Sequence, residues 1–203
     1  MNPIDKLTEY FKKFPGIGER QARRFVYYLL KQNSSFLNDF SQKVTSLKKE
    51  ISECPDCHIY FTANNQTKCS HCLNPNLDPS LLMIIEKDVD LENINRSSTY
   101  NGSYFILGSL IGSTYAKTET ARFSEVVKKI EDRLKGNSLK EVILALSLSP
   151  QGDQTDLRLR ELLSPFKEKY NLKISSLGRG LSSGLELEYS DSETLKNAIK
   201  NRQ

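Results

Sequence analysis

The chain has 203 residues, 37% of them hydrophobic, with nine Tyr, nine Phe and no Trp, and it carries 29 Lys+Arg against 25 Asp+Glu for a formal charge of +4. That length admits one large domain or two to three small ones with modest cores, and no apolar run is long enough to span a bilayer, which argues against a membrane protein. With no signal peptide in view, a cytoplasmic location is expected, where thiols stay reduced.

The positive charge is concentrated at the amino end. Residues 1–36 hold Lys6, Lys12, Lys13, Arg20, Arg23, Arg24 and Lys31 against Asp5, Glu9 and Glu19, a surplus of four that equals the excess of the whole chain. Ile4, Leu7, Tyr10 and Phe11 recur at helical spacing over 4–13, and Ala22, Phe25, Val26, Leu29 and Leu30 do so over 19–31. Between these predicted helices, Phe14-Pro15-Gly16-Ile17-Gly18 forbids continuation. Pro15 lacks an N–H, Ile17 can plug into the small core, and the glycines leave backbone N–H groups bare at the start of the second helix. Such a helix start is an anion site. Arg20, Arg24, Tyr27 and Lys31 fall opposite the apolar stripe, with Arg23 at its margin. Lys12, Gly16, Gly18, Arg20, Arg23 and Arg24 are therefore the candidate cradle for a phosphodiester backbone, single- or double-stranded, with no base-reading group among them. The segment resembles the helix-hairpin-helix motif of DNA-binding proteins that lack sequence specificity. The alternative is a plain helical hairpin whose arginines are merely solvated.

Four cysteines follow as Cys54-Pro55-Asp56-Cys57 and Cys69-Ser70-His71-Cys72, and no others occur. Two such knuckles can present four thiolates tetrahedrally to one Zn2+, with iron or a redox pair as the alternatives. Four sulfurs close the shell, so a structural metal is expected rather than one that activates water. The span between the knuckles has few apolar residues, among them Ile59, Tyr60 and Phe61. Metal binding of about 10–16 kcal/mol is what would order it. His58 and His71 each adjoin a cysteine and are read as solvent-facing or supporting, not as ligands.

After a linker at Asn74–Pro79, Leu81–Ile85, Tyr104–Leu107 and Val142–Leu146 are short continuous apolar runs, the pattern of strands buried on both faces. Helices are predicted over 119–135, with Phe123, Val126, Val127, Ile130 and Leu134 on one stripe and Gly136 as its stop, and over 154–169, with Leu157, Leu159, Leu162, Leu163 and Phe166. A strand near Leu172–Leu177 and a last helix over 192–201 complete the pattern, the latter introduced by capping-box spacing from Ser190 to Glu193. Alternating strands and helices imply a mostly parallel sheet with right-handed crossovers. Glu86 stands directly after the first strand, where ligands of open α/β sheets gather.

This acidic strand end resembles the Toprim domain of topoisomerases, primases and some nucleases, whose catalysis requires a carboxylate cluster holding Mg2+. Catalytic members place Asp-x-Asp after a later strand, whereas Ser147–Asp153 offers only Asp153. Asp88-Val89-Asp90 follows the first strand at once and is read as a loop or helix start. For Glu86, a polar strand end and a weak Mg2+ contact both stay open. The expected architecture is multidomain α+β: a helix-hairpin-helix region at 1–53, a four-cysteine zinc finger at 54–72, a Toprim-like α/β domain at 79–170 and a strand-helix segment at 171–203 that serves oligomerisation.

These parts, in this order, resemble the bacterial recombination mediators of the RecR family. Ala145–Thr155 is similar to that family's Ala-Thr-Asn-Pro-Thr-x-Glu-Gly-Glu-Ala-Thr block, and Arg179–Tyr189 to its Arg-Gly-Leu-Pro-x-Gly-Gly-Asp-Leu-Glu-Tyr signature. Gln151 replaces a family Glu, Asp153 shortens the next one, Ser182 replaces a Pro, Lys87-Asp88 stands where an acidic residue and a proline are usual, and Ser109–Thr118 diverges from a Ser-Pro-Leu-Asp-Gly stretch. The resemblance implies a DNA-repair clamp, not an enzyme, that works with RecO, and in many bacteria RecF, to load RecA onto single-stranded DNA coated by single-strand-binding protein. It also implies homodimers or homotetramers, with Phe25, Tyr28, Leu29, Phe36, Leu37 and Phe40 divided between subunit contacts and the internal core. Carboxylates in the region of Glu86 and Asp153 are those the family associates with RecO and with any non-catalytic Mg2+. Two competing functions remain: a metal-dependent phosphodiester enzyme using Glu86 and Asp153, and a zinc-stapled adaptor that never touches DNA. No Gly-rich phosphate loop ending in Lys-Ser/Thr occurs, so ATP hydrolysis is not expected, and Arg179–Tyr189 is read as a segment bridging subunits.

Overall fold

The computed structural model describes residues 1–112, 119–178, 181, 184, 186–190 and 192–200. It contains two compact units, Met1–Ser52 and Glu53–Gln203.

In the first unit, α1 (Pro3–Phe11) begins where Asn2 accepts from the Asp5 N–H at 2.8 Å, and α2 (Glu19–Leu30) begins at Gly18. The two helices bury Thr8, Ala22 and Val26 between them and set the Phe11 ring edge-on to Phe25 at 5.5 Å. Leu7, Tyr10 and Leu30, although on the apolar stripes, are exposed. A third helix, α3 (Ser34–Glu50), stands where no element was expected; its Asn33 cap accepts from the Phe36 N–H at 2.8 Å. None of its residues is buried.

At the junction of the units, β1 (Ile51–Glu53) pairs with β2 (Tyr60–Thr62) in a two-stranded sheet that brackets the first cysteine pair in sequence, and the rest belongs to the second unit. The larger layer consists of β3 (Asp78–Ile85), β4 (Gly102–Ile106), β5 (Glu141–Ala145) and β6 (Lys173–Ser176) in the order β4-β3-β5-β6, all parallel. The connections are α4 (Asp88–Ser97), α5 (Glu119–Lys135) and α6 (Pro150–Tyr170), and the chain closes with a short turn at Leu187–Tyr189 and α7 (Ser192–Lys200). Alternation along the strands divides the core. Leu82, Ile84, Phe105, Val142 and Leu144 face Val126, Ile130 and Leu134 of α5 and Leu159 and Leu163 of α6. Met83, Ile85, Tyr104 and Ile106 point to the other face, with Leu91 of α4. Arg133 of α5 donates to the Pro79 carbonyl at 2.6 Å and to Ser103 Oγ at 2.5 Å, tying that helix to the sheet.

Two details depart from the expectations, the end of the linker and the exposure of Leu157. The linker ends at Leu77, since Asp78 already pairs with Gly102 and Pro79 lies inside β3. The register shifts between Asp78 and Leu82, and a proline is tolerated at such an irregular strand start because no ladder N–H is required of it. Asp88-Val89-Asp90 is a helix start, one of the two readings given for it, with the Asp90 carboxylate accepting from the Lys87 N–H at 3.2 Å. Leu157, placed on the α6 stripe, is 62% exposed. The expected cap at Ser190–Glu193 includes Asp191, and the divergent Ser109–Thr118 stretch includes 113–118; these, with 179, 180, 182, 183 and 185 of the Arg179–Tyr189 segment, lie outside the described residues. Among the described residues, no helix is long and apolar enough to cross a membrane.

The α6 entrance carries a tight backbone approach. Ser149 caps the helix by accepting from the Gly152 N–H at 3.1 Å, and a Cβ on Gly152 would overlap the Ser147 carbonyl oxygen. Gly152→Ala is therefore expected to destabilise the protein by about 1–3 kcal/mol, as overpacking does, read as a lower melting temperature. An unchanged melting temperature would mean that the loop yields without cost.

Candidate metal centre and nucleic-acid interface

The ligand atoms of Cys54, Cys57, Cys69 and Cys72 all lie within 4.8 Å of one another. Cys57 and Cys69 Sγ are 3.5 Å apart and Cys54 and Cys72 Sγ 3.9 Å. Thiolates held about 2.3 Å from a tetrahedral zinc stand about 3.8 Å apart, so the cage fits that ion, and all four cysteines are free thiols. Local backbone geometry builds the cage. The His58 N–H donates to the Cys54 carbonyl at 2.9 Å, the Cys54 N–H to the Ile59 carbonyl at 2.9 Å, and His58 takes a left-handed φ of 62° to finish the first knuckle. In the second, the Cys72 N–H donates to Cys69 Sγ at 3.4 Å, the kind of bond that stabilises a thiolate. The hydrogen bond with Cys72 and then burial hold the Cys57 thiol far above its ordinary range, and burial pushes Cys69 up to about 11. Cys72, which accepts from Cys57, falls to about 6. Such thiols cannot all ionise side by side; a dication in their midst reverses that balance.

Neither histidine joins the four sulfurs. His58 Nδ1 lies 2.7 Å from Glu53 Oε1, and Nε2 lies 2.7 Å from Glu125 Oε2 but out of hydrogen-bonding alignment. Its ring meets Phe105 edge-on at 4.9 Å, and Arg122 pairs with Glu53 at 3.0 Å. His71 packs against Tyr104 at 4.8 Å, and burial lowers its pKa. Both are half-buried and support the cage, the second of the two readings given for them. Lys129 completes the surround by donating to the Asp56 carbonyl and lying over the Phe105 ring. Sequence reasoning missed Arg122, Glu125 and Lys129 because no local spacing announces a contact from a helix so far along the chain.

At the amino end, Gly16 adopts φ +74°, a conformation open to glycine, and Gly18 starts α2 with no side-chain cap. The first N–H groups of α2 thus face outward without a side-chain partner from the cap residue. Arg20, Arg23, Arg24, Tyr27 and Lys31 are all exposed. Their charges are not equally available. Arg23 reaches Asp5 at 3.3 Å and Glu19 at 3.5 Å, and Lys12 holds Glu9 at 2.8 Å, while Arg20 and Arg24 make no ion pair among the described residues.

On the sheet, Glu86 follows β3 and is 5% exposed, with the Lys87 ammonium 2.7 Å from its carboxylate. That bond raises the Lys87 pKa. The cleft beside it, of about 300 Å3, is lined by Glu86, Lys87, Asp90, Asn93, Ser147 and Leu177 among others; Asp153 is not part of that lining. Asp153 instead sits in the first turn of α6, its N–H donating to the Ser149 carbonyl at 2.9 Å. Among the described residues, the four cysteines form the one set of three or more His, Cys, Asp or Glu ligand atoms close enough to share an ion.

Comparison with known families matches residues 4–47 to "RecR, helix-hairpin-helix", 80–177 to "Toprim domain" and 180–203 to "RecR, C-terminal". The recombination protein RecR of Lactobacillus acidophilus is 32% identical over 201 residues, which cover 98% of this chain and 96% of that one. Its counterpart in Prochlorococcus marinus subsp. pastoris is 32% identical over 200 residues, covering 98% and 95%. The protein of that name in Bacteroides thetaiotaomicron is 33% identical over 200 residues, covering 98% and 92%. With a helical hairpin, a four-cysteine cage and a parallel Toprim sheet in the same order from end to end, the chain belongs to the RecR family of recombination proteins.

Proposed function

We propose that this protein is a recombination mediator with no catalytic activity of its own, which grips DNA by its backbone in recombinational repair in the cytoplasm. The observation that carries the reading is the exposed pair Arg20 and Arg24, outside any ion pair among the described residues and beside the uncapped glycine start of α2. Backbone N–H groups and guanidinium forks bind phosphate without reading bases, so affinity is independent of sequence and strongly dependent on salt. Lys12, Gly16, Gly18 and Arg23 complete the cradle. One cradle binds weakly; a ring or clamp of two or four copies multiplies it by effective concentration. In this reading the protein acts with RecO, and with RecF where present, to load RecA on single-stranded DNA. Zn2+ at Cys54, Cys57, Cys69 and Cys72 is structural, and the region of Glu86 and Asp153 meets RecO. The ion pair between Lys87 and Glu86 supports the non-catalytic reading, because the buried carboxylate at the strand ends is already neutralised.

Titrating salt against the binding of single- and double-stranded DNAs of unrelated sequence tests the proposal. Similar affinities across sequences, a steep salt slope and intact DNA in the presence of Mg2+ or Mn2+ are expected. Sequence-selective binding, salt-insensitive binding or cleavage abolished by Glu86→Ala would overturn it.

A further inference from the structure

β4 is an outer strand of the sheet, and an uncovered edge offers unpaired backbone groups to any passing strand. The Leu107 N–H donates inward to the Ile85 carbonyl at 2.8 Å. The neighbouring Ile106 N–H therefore points outward, where the carbonyl of Cys57 accepts it at 2.8 Å. From the second knuckle, the His71 ring packs at 4.8 Å against that of Tyr104, a residue of the same strand. The first knuckle thus caps a backbone group of the edge, and the second packs on a side chain of the same strand. From behind, Lys129 of α5 donates to the Asp56 carbonyl inside the first knuckle, and the Asp56 carboxylate holds Lys68, beside the second, at 2.6 Å.

We propose that the metal-bound knuckles are the cover of the free edge of β4, and that Lys129 is a positioning residue through which α5 keeps the metal shell closed. The knuckles have almost no core besides their own sulfurs, with Ile59 and Phe61 packed alongside. Without the ion, the few contacts left to them, chiefly the His58 and His71 rings on Phe105 and Tyr104, do not offset the entropy of holding the Cys57 carbonyl against Ile106. Coupling of this kind is reciprocal: whatever holds the knuckles on the sheet also tightens the metal, by the same factor. The Lys129 ammonium adds a positive charge beside a shell that four thiolates and one dication leave dianionic.

The proposal rests on the cysteines holding zinc, which the metal content of the untreated full-length protein reports separately; protein purified without zinc would overturn that reading itself. Two measurements then decide the rest. Hydrogen exchange is followed at the Ile106 amide before and after chelation, with the amides of Ile143 and Leu159 as internal references. Zinc release to a coloured chelator is timed for the wild type, Lys129→Met and Lys129→Arg. Expected are loss of protection at Ile106 with the references retained, release about tenfold faster in Lys129→Met, and a rate near the wild type in Lys129→Arg. Ile106 still protected in zinc-free protein, uniform loss of protection through β5 and α6, or wild-type release from Lys129→Met would each overturn the proposal.

Discussion

Cys69→Ser abolishes zinc binding and melts the stretch from Cys54 to Cys72, the largest effect expected of any single substitution in this chain. Cys69 is 2% exposed, and the small cluster it belongs to consists of cysteines with Ile59 and Phe61. A serine hydroxyl stays protonated at neutral pH and is a hard donor, so it replaces neither the charge nor the softness of the lost thiolate. It is also left buried as a polar group without its ion. The free energy at stake is that of a structural zinc site, about 10–16 kcal/mol, far more than two apolar side chains supply. Replacing zinc with Co2+ reads the shell directly: the wild type should develop intense thiolate-to-cobalt bands and Cys69→Ser should not. A variant that keeps one zinc per chain and protects the amides between the knuckles as the wild type does would show that the cage is not what folds this segment.

What could be read in advance, and what could not, follows from the range of the interactions involved. The span of α5, 119–135, is legible to the residue because its apolar stripe is local and Gly136 ends it. The metal cage is legible for the same reason, since two knuckles fix four sulfurs within a few residues of backbone. The groups around the cage are not. Lys129 reaches Asp56 across 73 residues of chain, and Ile106 meets Cys57 only because β4 lies at the outside of the sheet. The helix α3 escaped notice although Phe36, Leu37, Phe40, Val44 and Leu47 are helically spaced behind an Asn33 cap. None of its side chains is buried, and an apolar pattern with no core to face does not declare its element. In the hairpin, the basic face was evident, but the division of labour was not. Arg23 is drawn to Asp5 on the other helix, a contact 18 residues apart that leaves Arg20 and Arg24 as the open arginines of the hairpin.

That division sets the expected outcome of reversing the two open arginines. Arg20→Glu with Arg24→Glu should sharply weaken DNA binding and lower the slope of log affinity against log salt by about two, one for each phosphate contact removed. Both side chains are exposed and outside any ion pair among the described residues, so the stability should change by no more than two surface substitutions allow, about 0.5 kcal/mol each. Stability unchanged with binding lost separates a binding face from a folding defect. Arg23→Glu is the contrasting case: it breaks the pairs with Asp5 and Glu19 and should cost stability along with any affinity. If the hairpin were a plain structural element, the double reversal would leave both the affinity and the salt slope at their wild-type values. If several copies grip one DNA, the slope falls by about two for every hairpin engaged, so the size of the drop also counts the cradles that a bound assembly brings to the backbone.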